Sequence, residues 1–221
     1  MSPAVTIGLL WLGFAGSHLA LSSLPVRQRL IARIGENAFR GLYSLVAFAF
    51  FIPLVWTYFH HKHAGPPLWM LPMTPALRWA IYVGMGFGFV LAVAAFVRPS
   101  PAGVVPGDPR PRGVYRITRH PLFMAIAVFG LLHLPPNGHS ADVAFFGGFA
   151  LFSVVGAVHQ DRRKLATEPD RFRPFYEGTP FFPFTGRATL QGLRELFPVV
   201  APVGIAVAIV VRHFHGSWFG G

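Results

Sequence analysis

The chain contains no cysteine. That excludes disulfides, a cysteine-ligated iron–sulfur cluster, a thiolate-ligated haem and covalent c-type haem attachment. Charge is scarce as well. Only 12% of the 221 residues are Asp, Glu, Lys or Arg, against about 25% in a soluble globular chain. Acidic residues are the scarcest, eight against 19 Lys and Arg. What fills the chain instead is apolar: 53% hydrophobic and 15% aromatic residues, with mean hydropathy +0.50. The sequence is that of an integral membrane protein.

A membrane-spanning helix needs about 20 predominantly apolar residues. Six runs qualify or nearly do: Pro3–Leu24, Gly41–Phe59, Leu77–Val97, Leu122–Leu134, Val143–Val158 and Phe197–Val211. The fourth and fifth are short. The fourth reaches full length if Val114–Pro121 also enters the interface, with Arg116 and Arg119 snorkelling. The first run lacks a basic start and is long for a signal peptide, so it reads as a retained helix.

Assigning the loops to alternate sides leaves Lys62, Arg78 and Arg212 on one side and the other sixteen of the 19 basic residues on the opposite side. By the positive-inside rule the richer side is cytoplasmic. The expectation is an all-α, polytopic bundle of about six helices with both termini outside, forming one domain over residues 1–221 in a bacterial inner membrane. The basic residues then face anionic lipid, so the net charge of +11 gives no reason to expect nucleic acid as a partner.

Three segments between the runs have their own character. "RPSPAGVVPGDPRPRGVY" (98–115) has five prolines and is not regular helix throughout. "DRRKLATEPDRFRPFYEG" (161–178) suggests a short interfacial helix broken at Pro169. "RQRLIARIGENAFRGLYS" (27–44) sets Leu30, Ile34 and Ala38 on one helical face, which suggests a helix lying on the membrane before the second span.

The ten histidines sort by location. His60, His61 and His63 lie at the outer end of the second run. They read as a wet interfacial cluster rather than a metal site, because no acidic or Cys ligand is near in sequence. His213 and His215 read the same way at the outer terminus, and His139 sits in a short outer loop. Asp142 follows in a loop with no Lys or Arg, so no strong ionic partner is expected for it. His18, His120, His133 and His159 lie within or at the ends of apolar runs. An ionisable residue there is a functional-site hypothesis by default, although a neutral imidazole bonded to a neighbouring helix explains any one of them.

Two facing imidazoles from different helices hold a b-type haem without any further motif. Arg119 is placed to pair with a propionate. Arg119, His120, Asp161, Arg162 and Arg163 should form a polar cluster at the cytoplasmic mouth, with Asp161 offsetting the arginines.

The segments "SHLALSSLPVR" (17–27), "RIGENAFRGLYS" (33–44), "RGVYRITRHPLF" (112–123) with "LLH" ten residues on, "HQDRRKL" (159–165) and "PFFPF" (180–184) resemble the NnrU family, which includes the 15-cis-zeta-carotene isomerases. The resemblance implies a haem b held by the His of the first-span "SH" and by the His thirteen residues after that of "RHP". These are His18 and His133, as metal ligands. Arg119 and His120 are then the candidate catalytic pair. The implied role is support of nitrogen-oxide respiration (denitrification), with respiratory proteins as partners, or redox-gated cis–trans isomerisation of a hydrophobic carotenoid. By residue count His18 lies about 9 Å from the cytoplasmic end of its run and His133 about 18 Å from Pro121. On depth alone, His120 and His159 are alternative partners for His18.

"YRITRHPLF" followed by a charged segment also resembles the isoprenylcysteine and phospholipid methyltransferases, which use S-adenosylmethionine. There a paired glutamate follows, where this chain has Gln160-Asp161-Arg162. A non-enzymatic membrane assembly factor is the third reading.

Overall fold

The computed structural model describes residues 1–102 and 107–220. Residues 103–106, inside the proline-rich segment expected to be irregular, lie outside the described residues. Among the described residues the regular structure is all helical, with one isolated bridge between Pro67 and His139. The helices are α1 (Pro3–Ser22), α2 (Leu24–Ile34), α3 (Glu36–His60), α4 (Pro75–Val97), α5 (Pro121–His133), α6 (Ser140–Thr167), α7 (Pro169–Gly178), α8 (Thr189–Leu196) and α9 (Val200–Phe219). Five of them, α1, α3, α4, α6 and α9, are long and apolar enough to cross a membrane.

The chain forms two compact units, Met1–Pro72 with His133–Phe152 and Met73–Leu132 with Ser153–Gly221. In the first unit α1 packs along α3. Trp11 is the central residue. Its indole donates to the Phe145 carbonyl at 3.2 Å, and its ring lies so close to Gly148 that a Cβ there would sit 2.1 Å from the indole nitrogen. Small residues permit such close approach of helices in lipid. In the second unit α4 packs along α9, where a Cβ on Gly204 would meet the Val90 backbone at 2.6 Å.

The interfacial helix before the second span differs from expectation. Gly35, at φ +80°, ends α2, and α3 begins at Glu36. Leu30 and Ile34 therefore share a helix that Ala38 does not. A left-handed backbone, which Gly adopts without steric cost, breaks the pattern that the apolar spacing suggested.

The fourth run also differs. α5 has 13 residues and covers about 20 Å, short of the roughly 30 Å hydrocarbon core. Val114–Pro121 does not extend it as helix. Gly113–Arg116 is a 3-10 turn, and Ile117, Thr118, Arg119 and His120 are buried. Pro121 disfavours helical backbone in the residue before it. Arg119 is only 7% exposed, so it does not snorkel. Arg116 pairs with Glu195 instead, at 3.1 Å. Non-helical backbone at membrane depth is tolerated when it is buried in protein, which allows a 13-residue helix to complete a crossing.

Six crossings put both termini on one face, and five would separate them. Cysteines introduced singly at Ser2 and Ser217 are expected to be labelled from outside, and one at Asp170 from the cytoplasm. Labelling of Ser2→Cys and Ser217→Cys from opposite faces would show that α5 does not cross.

α7 is less superficial than an interfacial helix. Phe172 and Phe175 are fully buried in the second unit's core with Tyr115, Ile117 and Leu91. The Tyr115 hydroxyl donates to the Arg98 carbonyl at 2.5 Å.

Candidate functional site

The segment Thr118–Pro121 is fixed by its backbone and by the Thr118 hydroxyl. The Arg119 amide donates to the Pro180 carbonyl at 2.8 Å. The Thr118 hydroxyl donates to the Phe181 carbonyl at 2.6 Å and accepts from the His120 amide at 3.2 Å. His120 then caps α5, its carbonyl accepting from the Met124 amide at 2.9 Å. Pro121 in the first turn needs no amide partner.

This clamp aims two side chains at α6. The Arg119 Nε donates to Asp161 Oδ2 at 2.8 Å, and its Nη1 to the Thr179 carbonyl at 2.9 Å. The guanidinium plane lies 4.3 Å from the Tyr176 ring centroid and 5.1 Å from that of Phe181. His120 Nε2 bonds Asp161 Oδ1 at 2.9 Å. Arg119, His120 and Asp161 are all buried. Buried charge is tolerable only when paired and hydrogen-bonded, and here both carboxylate oxygens are engaged.

The coupling of Arg119, His120 and Asp161 expected from the sequence is present, but Arg162 is exposed. The Arg119 contacts are internal to the protein. A neutral His120 that donates from Nε2 to Asp161 carries its lone pair on Nδ1. Nδ1 is buried and, among the described residues, has no hydrogen-bond partner. The imidazole ring packs against Phe123 and Phe181 at steep angles, with centroid distances of 5.9 and 5.3 Å. A carboxylate-oriented imidazole with a free second nitrogen can accept a proton or hydrogen bond, or bind a metal.

His18 and His133 both belong to the first unit. His18 Nδ1 bonds the Phe14 carbonyl at 3.1 Å, which leaves Nε2 as its available lone pair. The ring is lined by Phe14, Tyr43 and Phe152 at centroid distances of 4.2, 4.8 and 5.5 Å. His133, the last residue of α5, stacks on Phe146 at 4.7 Å. Its carbonyl accepts from Asn137 Nδ2 at 2.8 Å. Phe152 and Phe146, the α6 neighbours of the two imidazoles, lie about 9 Å apart along the helix. His159 is on α6 within the second unit, as is His120.

Sequence reasoning missed the far side of the Arg119 pocket. Thr179 O, Tyr176 and Phe181 come from about 60 positions downstream, and no spacing rule links them to Arg119. It also missed the surroundings of Asp142, which is completely buried and faces His63 and His139.

The chain is similar to known proteins along most of its length. The chain is 29% identical over 206 residues to the chloroplastic 15-cis-zeta-carotene isomerase of Arabidopsis thaliana, covering 89% of this chain and 53% of that protein. It is 25% identical over 203 residues to the Zea mays protein of the same name, covering 88% of this chain and 53% of that one. The chain thus spans about half the length of the curated relatives it matches. No solved structure matches. The match to NnrU protein runs over residues 6–221, and on that extent the chain belongs to the NnrU family.

Proposed function

We propose that the chain is a haem-b-dependent membrane isomerase acting on a cis double bond of a hydrophobic, carotenoid-like polyene, in a bacterial inner membrane. The observation that carries this reading is similarity to 15-cis-zeta-carotene isomerases along 89% of the chain. The relatives' names favour a polyene over nitrogen oxides as the substrate. The methyltransferase reading loses ground at Asp161, which is engaged by Arg119 and His120 where that fold would present glutamates to its cofactor.

The donor chemistry in the first unit fits a haem. The Phe14 carbonyl holds His18 Nδ1, the arrangement that fixes the tautomer of a ligating histidine. His18, through Nε2, and His133 are the residues that would hold the haem iron. Phe14, Tyr43 and Phe152 pack around the His18 ring. When bound, haem supplies an iron centre whose charge changes with redox state, able to draw electron density from a double bond.

In the second unit His120 is assigned the catalytic contact, through Nδ1. Arg119 is a positioning residue that holds Asp161 and so orients the imidazole. His120→Gln is expected to lower conversion by roughly 10²-fold, within the range of a lost acid–base group, while haem content stays at the wild-type level. Equal conversion by His120→Gln would remove this assignment.

The function itself is tested by incubating haem-replete proteoliposomes with a 15-cis polyene in the dark and separating the isomers by chromatography. Conversion to the 15-trans isomer is the expected result. No conversion, together with binding of S-adenosylmethionine, would move the chain to the methyltransferase class.

A further inference from the structure

We propose that His63, His139 and Asp142 form a binding site for a first-row divalent cation, zinc by its donor set, in the first unit. The site stands apart from the haem reading and does not depend on it.

Two loops far apart in sequence are zipped together to build it. The Leu68 amide donates to the Gly138 carbonyl at 2.8 Å, the Ser140 amide to Pro66 at 3.0 Å and the Ala141 amide to Ala64 at 3.2 Å. The Trp69 indole adds a bond to the Leu134 carbonyl at 3.0 Å. This zip sets His63 over the first turn of α6. His63 itself has φ 56°, a left-handed conformation uncommon for a residue with a side chain. Such conformations persist where the surroundings over-determine them, often at functional sites.

Asp142 is the anchor. Its side chain has no solvent exposure. Oδ1 accepts from the His63 amide at 3.1 Å, and the Tyr58 hydroxyl also bonds the carboxylate. Oδ2 lies 3.0 Å from His63 Nδ1 and 3.7 Å from His139 Nδ1. The three ligand atoms all fall within 4.8 Å of one another.

A tetrahedral cation with bonds of about 2.0–2.1 Å holds its ligand atoms roughly 3.3 Å apart, and the two carboxylate–imidazole distances bracket that value. At 3.7 Å, His139 is beyond hydrogen-bond range of the oxygen it faces. A cation between them satisfies both imidazoles at once. The His63 amide and Tyr58 hydroxyl then serve as the outer partners that orient a ligating carboxylate. Two imidazoles and one carboxylate suit zinc, whereas magnesium and calcium prefer all-oxygen sets. The side chains of His63 and His139 are 53% and 34% exposed, which gives the cation access and leaves its fourth position to water.

The test is titration of untagged, chelator-stripped protein with Zn²⁺ by calorimetry and with Co²⁺ by visible absorption. One equivalent per chain and intense tetrahedral Co²⁺ bands are expected. His63→Ala and His139→Ala should each weaken Zn²⁺ binding by at least about 100-fold, the upper end of what loss of a mere outer partner costs. His213→Ala and His215→Ala should leave it unchanged. The metal-free melting temperature of His139→Ala should match that of wild type, and its Zn²⁺-induced rise should disappear. Absence of binding, or binding that survives both His63→Ala and His139→Ala, would overturn the proposal.

Discussion

Asp161→Asn is expected to destabilise the protein by about 3–5 kcal/mol, the cost of leaving a buried charge uncompensated. The reason is the geometry at Arg119. Its guanidinium is buried, and Asp161 is the carboxylate paired with it. Asn keeps the shape and one acceptor but removes the charge, and it presents an amide to either Arg119 or His120. Glu36→Gln makes the matching control. Glu36 bonds Arg40 at 2.9 Å and Arg27 at 3.5 Å, but it is 52% exposed, so about 0–1 kcal/mol is expected. Asp142→Asn is unsuitable as a control, because Asp142 is itself buried and partnered. Thermal unfolding in detergent measures all of these. Combining Asp161→Leu with Arg119→Met should recover much of the loss, since replacing both members of a buried pair is often nearly neutral. An Asp161→Asn variant as stable as Glu36→Gln would mean that the pair is not formed.

His18→Ala is expected to abolish haem retention or to convert a low-spin spectrum to a high-spin one. His133→Ala should do the same. If these two histidines hold the haem, each replacement would remove one iron–nitrogen bond and leave an unfilled space among aromatic rings. For His18 that space lies between Phe14, Tyr43 and Phe152, and for His133 against Phe146. His60→Ala, at an exposed position, and His215→Ala, at a half-buried one, should leave the spectrum intact. The sharpest comparison is with His120→Ala and His159→Ala. Retention of the wild-type spectrum in His133→Ala, with its loss in either of these two, would move the second ligand into the second unit.

The spans were legible because a membrane crossing needs length and apolarity, and both are written in the sequence. α1, α4 and α5 begin within two residues of the apolar runs that announced them. What failed was local. Gly35 looked like one more residue of an amphipathic stretch, whereas its left-handed backbone divides α2 from α3. Arg119 looked like an interfacial anchor, because a basic residue before an apolar run usually is one. The Pro180 and Phe181 carbonyls bring it inside instead.

The Arg119–His120–Asp161 cluster was legible from charge balance, since few acids were available to offset two adjacent arginines. The partners of Asp142 were not. No Lys or Arg lies near Asp142 in sequence, and its partner His63 stands 79 positions away.

The central claim, a haem-dependent polyene isomerase, is tested most directly by the isomer composition of a 15-cis polyene after dark incubation with wild-type and His18→Ala proteoliposomes, at equal protein. The account predicts accumulation of the 15-trans isomer with wild type and none above the protein-free rate with His18→Ala. Equal conversion by both, or none by haem-replete wild type, would contradict it.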